Sequence, residues 1–270
     1  MIFNLRNPLG KRGGTITEDS FEFSGNYAFA RDEDTGNWEL ALWDSGSLTW
    51  LVDPGQVDLC VIGAGQDGGN GYSNGTWRGA YVYSGKGGDG GRVYTNVQGV
   101  SLDAALTVVV GESGADSSIG SFTSANGPAP KSGGRGAVMP QQSNSVGTVN
   151  TGGTDGVWPF GEDTDISMIP ALQGKRLAPS GGGGHANNQI EYQGVPSYFD
   201  YVYTDVHGGV NTGGETGAGY GGERDHWNGY DATGIGAGGG GGYAGGQSYD
   251  GGTGGHGSKG AVLIRNHREA

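Results

Sequence analysis

The chain has 270 residues, 62 of them glycine, with 16 % charged residues, 10 % aromatic residues and a formal net charge of −13. Such acidity works against nucleic-acid binding, which needs clustered Lys and Arg for the phosphates, and against docking on anionic lipid. Glycine at roughly three times its usual ~7 % excludes a conventional helical domain, while plentiful aromatics with little charge set the chain apart from disordered sequence.

Met1–Ser20 is short, mixed and slightly basic (Arg6, Lys11, Arg12) and reads as an arm. No apolar stretch follows its charges, so no cleaved signal is expected, and no segment approaches the ~20 apolar residues of a membrane span. From Phe21 the pattern changes to strands. Phe21, Phe23, Tyr27 and Phe29 are aromatic among polar neighbours, and large apolar residues alternate over Trp38–Trp43. Between them, Asp32–Asn37 has the Asp, Gly and Asn of a hairpin turn.

Leu48–Val52 reads as a further strand, stopped by Asp53, Pro54 and Gly55. Val57–Ile62 reads as a buried strand with Cys60, the only cysteine, as a buried inert thiol. Gly91–Val97 and Leu106–Val110 are two more. Between Gly111 and Ser258 no helix pattern occurs, and Tyr198–Val206 is the one other apolar cluster noted. Gly260–Ile264 is again a buried-strand pattern. A lone strand cannot bury itself, so it is expected to close the first β-rich block, beside Val57–Ile62.

The expected fold is therefore all-β: a β-sandwich (jelly-roll-like) with an inserted glycine-rich bundle. Residues 21–122, closed by 258–266, would form the sandwich, 1–20 the arm and 123–257 the insertion. The runs Gly68–Gly71, Gly85–Gly91, Gly181–Gly184, Gly213–Gly222, Gly238–Gly242 and Gly251–Gly257 suit polyglycine-II geometry, with three residues per turn. Without Cβ atoms such runs can lie side by side and satisfy their amides on one another.

Gly63, Gly65 and Gly68 after the strand Val57–Ile62 spell the G-x-G-x-x-G of dinucleotide sites. That motif works through a helix N-terminus at the third glycine, and Gly69–Gly75 cannot sustain a helix. Calcium-loop spacing is missing from the acidic clusters Asp32–Asp34 and Glu162–Asp165, and the five His have no ligand spacing. No cofactor, metal or catalytic set is expected, and the chain is read as no enzyme. The remaining chemistry is aromatic: Trp77, Tyr81, Trp158, Tyr198, Tyr201, His226, Trp227 and Tyr230, in loops that also carry Asn, Asp and His. Rigid rings with polar neighbours suit recognition of sugars or protein loops, and they equally suit capping of the bundle.

Phe21–Tyr27, Gly36–Leu40, Ser45–Thr49, the strand into Gly63–Gly65, Gly90–Tyr94, Thr107–Gly111 and Gly257–Arg265 follow one another in an order that resembles the glycine-rich-domain proteins of tailed bacteriophages. The resemblance spans roughly Phe21 to Arg265. It implies a virion protein of the tail or tail fibre, similar to tip adhesins in which a polyglycine-II bundle presents loops to the host. On that reading the eight aromatic and His positions bind a bacterial surface glycan or outer-surface protein, and Met1–Ser20 attaches to other tail or fibre proteins. A capsid or tail decoration protein without a receptor is the alternative. Both a homotrimer and a single copy on a shaft stay open.

Overall fold

The computed structural model describes residues 15–73, 81–140, 150–161, 167–186, 189–192, 195–198, 210–212, 215–223, 226–244 and 251–268. The strands are β1 Phe21–Phe23, β2 Tyr27–Arg31, β3 Trp38–Leu42, β4 Gly46–Trp50, β5 Gln56–Ile62, β6 Tyr72–Ser73, β7 Tyr81–Tyr83, β8 Val93–Ser101 and β9 Ala105–Val109. They continue with β10 Ser118–Ile119, β11 Phe122–Thr123, β12 Val138–Pro140, β13 Gln189–Tyr192, β14 Val195–Tyr198, β15 Val210–Thr212, β16 Glu215–Thr216 and β17 Ala261–Asn266.

The fold is all-β. Two five-stranded antiparallel sheets, β1-β4-β9-β10-β11 and β2-β3-β17-β5-β8, pack as a sandwich. β17 lies between β3 and β5, with Leu263 opposite both Ala41 and Cys60. The strand period of two sends Leu40, Leu42, Leu59, Val61, Val262 and Ile264 inward, against Leu48, Trp50, Leu106 and Val108 of the other sheet.

The opposite face of β3, β5 and β17 is buried too, which is why these strands are nearly continuous apolar runs rather than alternating ones. Phe160, Ile169, Leu172, Leu177 and Ala178 cover Ala41, Cys60, Ile62, Ala261 and Leu263. These covering residues lie within the stretch 123–257 expected as the glycine-rich insertion, and they form a second apolar layer that their sequence does not announce. Burial pushes the Cys60 thiol pKa up and keeps it protonated. Towards the end of the same face, Arg265 sits opposite both Asp58 and Glu39. Its Nε donates to Asp58 at 3.0 Å, and its guanidinium lies 4.2 Å from the Phe160 ring centroid. Glu39 accepts from the Ser167 hydroxyl, the Met168 amide and Arg268.

Beyond the ends of β5 and β17 the paired chains continue as glycine runs. The amides of Gly65, Gly68 and Gly71 donate to the carbonyls of Ser258, Gly255 and Gly252, one bond every three residues. That interval is the polyglycine-II turn. The run Gly236–Ala244 lies at the centre of the bundle, with six neighbours among the described residues. The amides of Gly238, Gly241 and Ala244 donate to Pro179, Gly182 and His185; those of Gly239 and Gly242 to Gln66 and Gly69; those of Gly240 and Tyr243 to Tyr230 and Trp227. Its carbonyls accept from Gly91, Gly88 and Gly85, from Ser258, Gly255 and Gly252, and from Gly219 and Gly222. All these bonds measure 2.7–3.0 Å.

Three donor directions and three acceptor directions at 120° give the hexagonal surround. It needs glycine because the backbones touch. A Cβ on Gly239 would fall on the Gly255 carbonyl, one on Gly240 on that of Tyr220, and one on Gly241 on that of Gly85. Runs from both sides of residue 123 take part, so Gly65–Gly71 and Gly85–Gly91 belong physically to the bundle rather than to the sandwich.

Candidate functional site

The sandwich holds one end of the bundle, where Gly63 bonds Arg92, Gly236 bonds Lys259 and Gly260 bonds Gly111. The far end is marked by one level of backbone contacts. Gly71 donates to Gly252, Gly252 to Tyr243 and Tyr243 to Trp227. Described residues bordering positions 74–80, 141–149 and 245–250 gather at this far end: Tyr72 and Tyr81, Pro140 and Asn150, Ala244 and Gly251.

Two aromatic groups stand there. Tyr72 and Tyr83 stack across β6 and β7, centroids 4.9 Å apart, with Tyr81 6.2 Å from Tyr83. Tyr72 is 52 % exposed and Tyr81 40 %. The second group rides on a hairpin of two runs. Gly217–Gly222 turns back through reciprocal bonds between Glu223 and His226 into Trp227–Gly234, with the Tyr230 amide donating to Tyr220 at 2.9 Å. Trp227 and Tyr230, one turn apart, both give their carbonyls to the central run while their side chains stay 48 % and 40 % exposed. His226 stacks on Tyr230 at 4.2 Å, Tyr220 meets Tyr230 edge-on at 6.0 Å, and Trp227 lies 6.0 Å from Tyr243.

Beside this hairpin an open hollow of about 370 Å³ is lined by His226, Asn228, Gly229, Tyr230, Asp231, Thr253, Gly254 and His256. Its floor is built by a second device. The run 251–258 uses every third amide on the central run, and side chains take the others. Asn228 and Asp231 accept from the amides of Thr253 and His256; Asn70 and Asp67 accept from those of Gly254 and Gly257. Each Asx pair is spaced by three residues, matching the turn. None of these four residues is among the candidates drawn from the sequence, although the spacing Asp67-x-x-Asn70 and Asn228-x-x-Asp231 is a local signal of them.

Of the eight positions singled out by sequence, Tyr81, His226, Trp227 and Tyr230 stand at or next to the far end. Trp158 lies apart, beside the Val157–Leu177 bridge at the covered sheet, with Arg176 4.9 Å from its ring centroid. The backbone of Tyr198 pairs with Gln189 in the β13–β14 hairpin. Trp77 and Tyr201 lie outside the described residues, as does most of the apolar cluster Tyr198–Val206.

The G-x-G-x-x-G stretch has its amides committed. Gly63, Gly65, Gln66, Gly68 and Gly69 donate to Arg92, Ser258, Asp89, Gly255 and Lys86, and the chain continues as a glycine run. A pyrophosphate would have no amide nest to enter. The acidic turn at Asp32 is likewise self-satisfied: its carboxylate accepts from the Thr35 hydroxyl and the amides of Asp34 and Thr35, which lower its pKa. Among the described residues no helix is long and apolar enough to cross a membrane.

A family model described as a glycine-rich domain matches residues 43–267, a span that takes in most of the sandwich and the whole bundle. No curated protein and no solved structure gave a match.

Proposed function

We propose a surface-attachment role for this chain, which belongs to the glycine-rich domain family: a structural protein of a bacteriophage tail or tail fibre that binds the host cell. The observation that carries this reading is the far end of the bundle, where Tyr72, Tyr81, Trp227 and Tyr230 stand exposed on backbone locked by mutual hydrogen bonds. Rings held this way give contact area with little conformational entropy to lose on binding. The order of strand and glycine motifs, which resembles tailed-phage proteins, supports the virion setting. On this reading the sandwich, at the other end, faces the particle.

The role is one of binding, to a surface glycan or an outer-surface protein. Purified protein, fluorescently labelled, is incubated with bacteria of differing surface polysaccharides. Wild-type protein is expected to label the susceptible strain and block phage adsorption, and Trp227→Ala with Tyr230→Ala to do neither at unchanged folding. A wild-type protein that binds no strain and blocks no adsorption would leave the decoration or cap role instead.

A further inference from the structure

The hollow on the flank of the bundle has a polarity that the far-end rings lack. Thr253 offers an N–H, so Asn228 must present Oδ1 to it, at 3.0 Å, and its Nδ2 is left over as a donor. Asp231 gives Oδ1 to the His256 amide at 2.7 Å, leaving Oδ2 as an acceptor. The two residues are one polyglycine-II turn apart, about 9 Å along the run. That distance exceeds a single sugar ring and suits groups on successive rings of a chain.

Tyr230, backed by the stacked His226, lines the same hollow and supplies an apolar face for sugar C–H groups, and Thr253 and His256 line the facing run. The volume of about 370 Å³ falls at the lower end of ligand sites, which run from roughly 300 to 1,000 Å³. No Lys or Arg is among the described residues that line the hollow, and Asp231 contributes negative charge. A sulfated, phosphorylated or carboxylated sugar would meet repulsion without a fixed cation.

We infer that this hollow binds a neutral oligosaccharide of at least two sugar units, laid along the run 228–231. The inference rests on the surface-attachment reading and narrows it to a substrate class.

The test is a glycan array of neutral and anionic bacterial oligosaccharides with their monosaccharides, probed with the full chain. Neutral oligosaccharides should bind about tenfold more tightly than single sugars. Asn228→Asp and Asp231→Asn keep the acceptors that hold Thr253 and His256, so each should fold normally and lose about fivefold in affinity, the worth of one hydrogen bond. A wild-type chain that binds no neutral oligosaccharide, or variants that bind as wild type, would overturn the assignment. Cell labelling separates the two readings. Cells labelled equally by wild type and both variants would sink the hollow and keep attachment; array binding without cell labelling would keep the hollow and sink attachment.

Discussion

The Gly88 amide donates to the Gly239 carbonyl at 2.7 Å, and a Cβ on Gly238 would fall on the Gly88 carbonyl. The same closeness surrounds Gly239, whose missing Cβ makes room for the Gly255 carbonyl. Gly239→Ala therefore has to push two backbones apart, at a cost of about 2–3 kcal/mol or more. At Gly69 an added Cβ meets nothing nearer than the Lys86 amide at 3.3 Å, a tight contact that a small shift relieves, so Gly69→Ala should cost much less than Gly239→Ala. Chemical denaturation of both variants checks the contrast, and equal losses would contradict backbone-on-backbone packing.

The Asx pairs predict a local effect. Asp67→Ala and Asn70→Ala release the amides of Gly257 and Gly254. Each should destabilise by roughly 0.5–1.5 kcal/mol. Hydrogen exchange should quicken at Gly254 and Gly257 while the amides of Gly239–Gly242 stay protected.

Arg265 predicts a global one. Its side chain is 3 % exposed between buried Asp58 and Glu39, with His267 also on Asp58 at 2.7 Å. Arg265→Met leaves the buried Asp58 carboxylate short of its guanidinium partner, which costs about 3–5 kcal/mol. Arg265→Lys restores the charge but not the planar fork over Phe160, and its melting temperature should fall between those of Met and wild type.

Asp89 gives the chain an acid-sensitive tie. Its carboxylate holds the Lys86 ammonium at 2.7 Å and the Gly133 amide at 2.8 Å. Partial burial pushes its pKa up, but the Gly133 bond and Lys86 together outweigh that and hold it below the usual carboxylate range. A depressed folded pKa means stability that is full above the unfolded pKa and lost as pH falls through the folded one. Asp89→Asn should therefore melt below wild type at pH 7, with the gap closing below about pH 4. A gap that persists at pH 2 would show that the ionised carboxylate contributes nothing.

Some of this was legible in the residues. The runs Trp38–Leu42 and Val57–Ile62 carry their own strand signature, and the glycine runs announce close packing because nothing else tolerates it. The covering layer was not legible. Ile169, Leu172 and Leu177 lie among Pro, Gly and polar residues with no regular period, and only the face of β3, β5 and β17 shows what they are for. Trp158 and Trp227 look alike in sequence, yet one flanks the covered sheet under Arg176 and the other stands 48 % exposed at the far end.

By itself the sequence determined the all-β class and the need for glycine, because strand periodicity and the absence of a Cβ are local properties. The tertiary structure decided which run lies at the centre, that six others surround it, and that Asp67, Asn70, Asn228 and Asp231 finish its outer neighbour. The physical reason is that a polyglycine-II run makes no internal hydrogen bonds. Every partner it has comes from elsewhere in the chain, and local sequence cannot name a partner that only folding brings near.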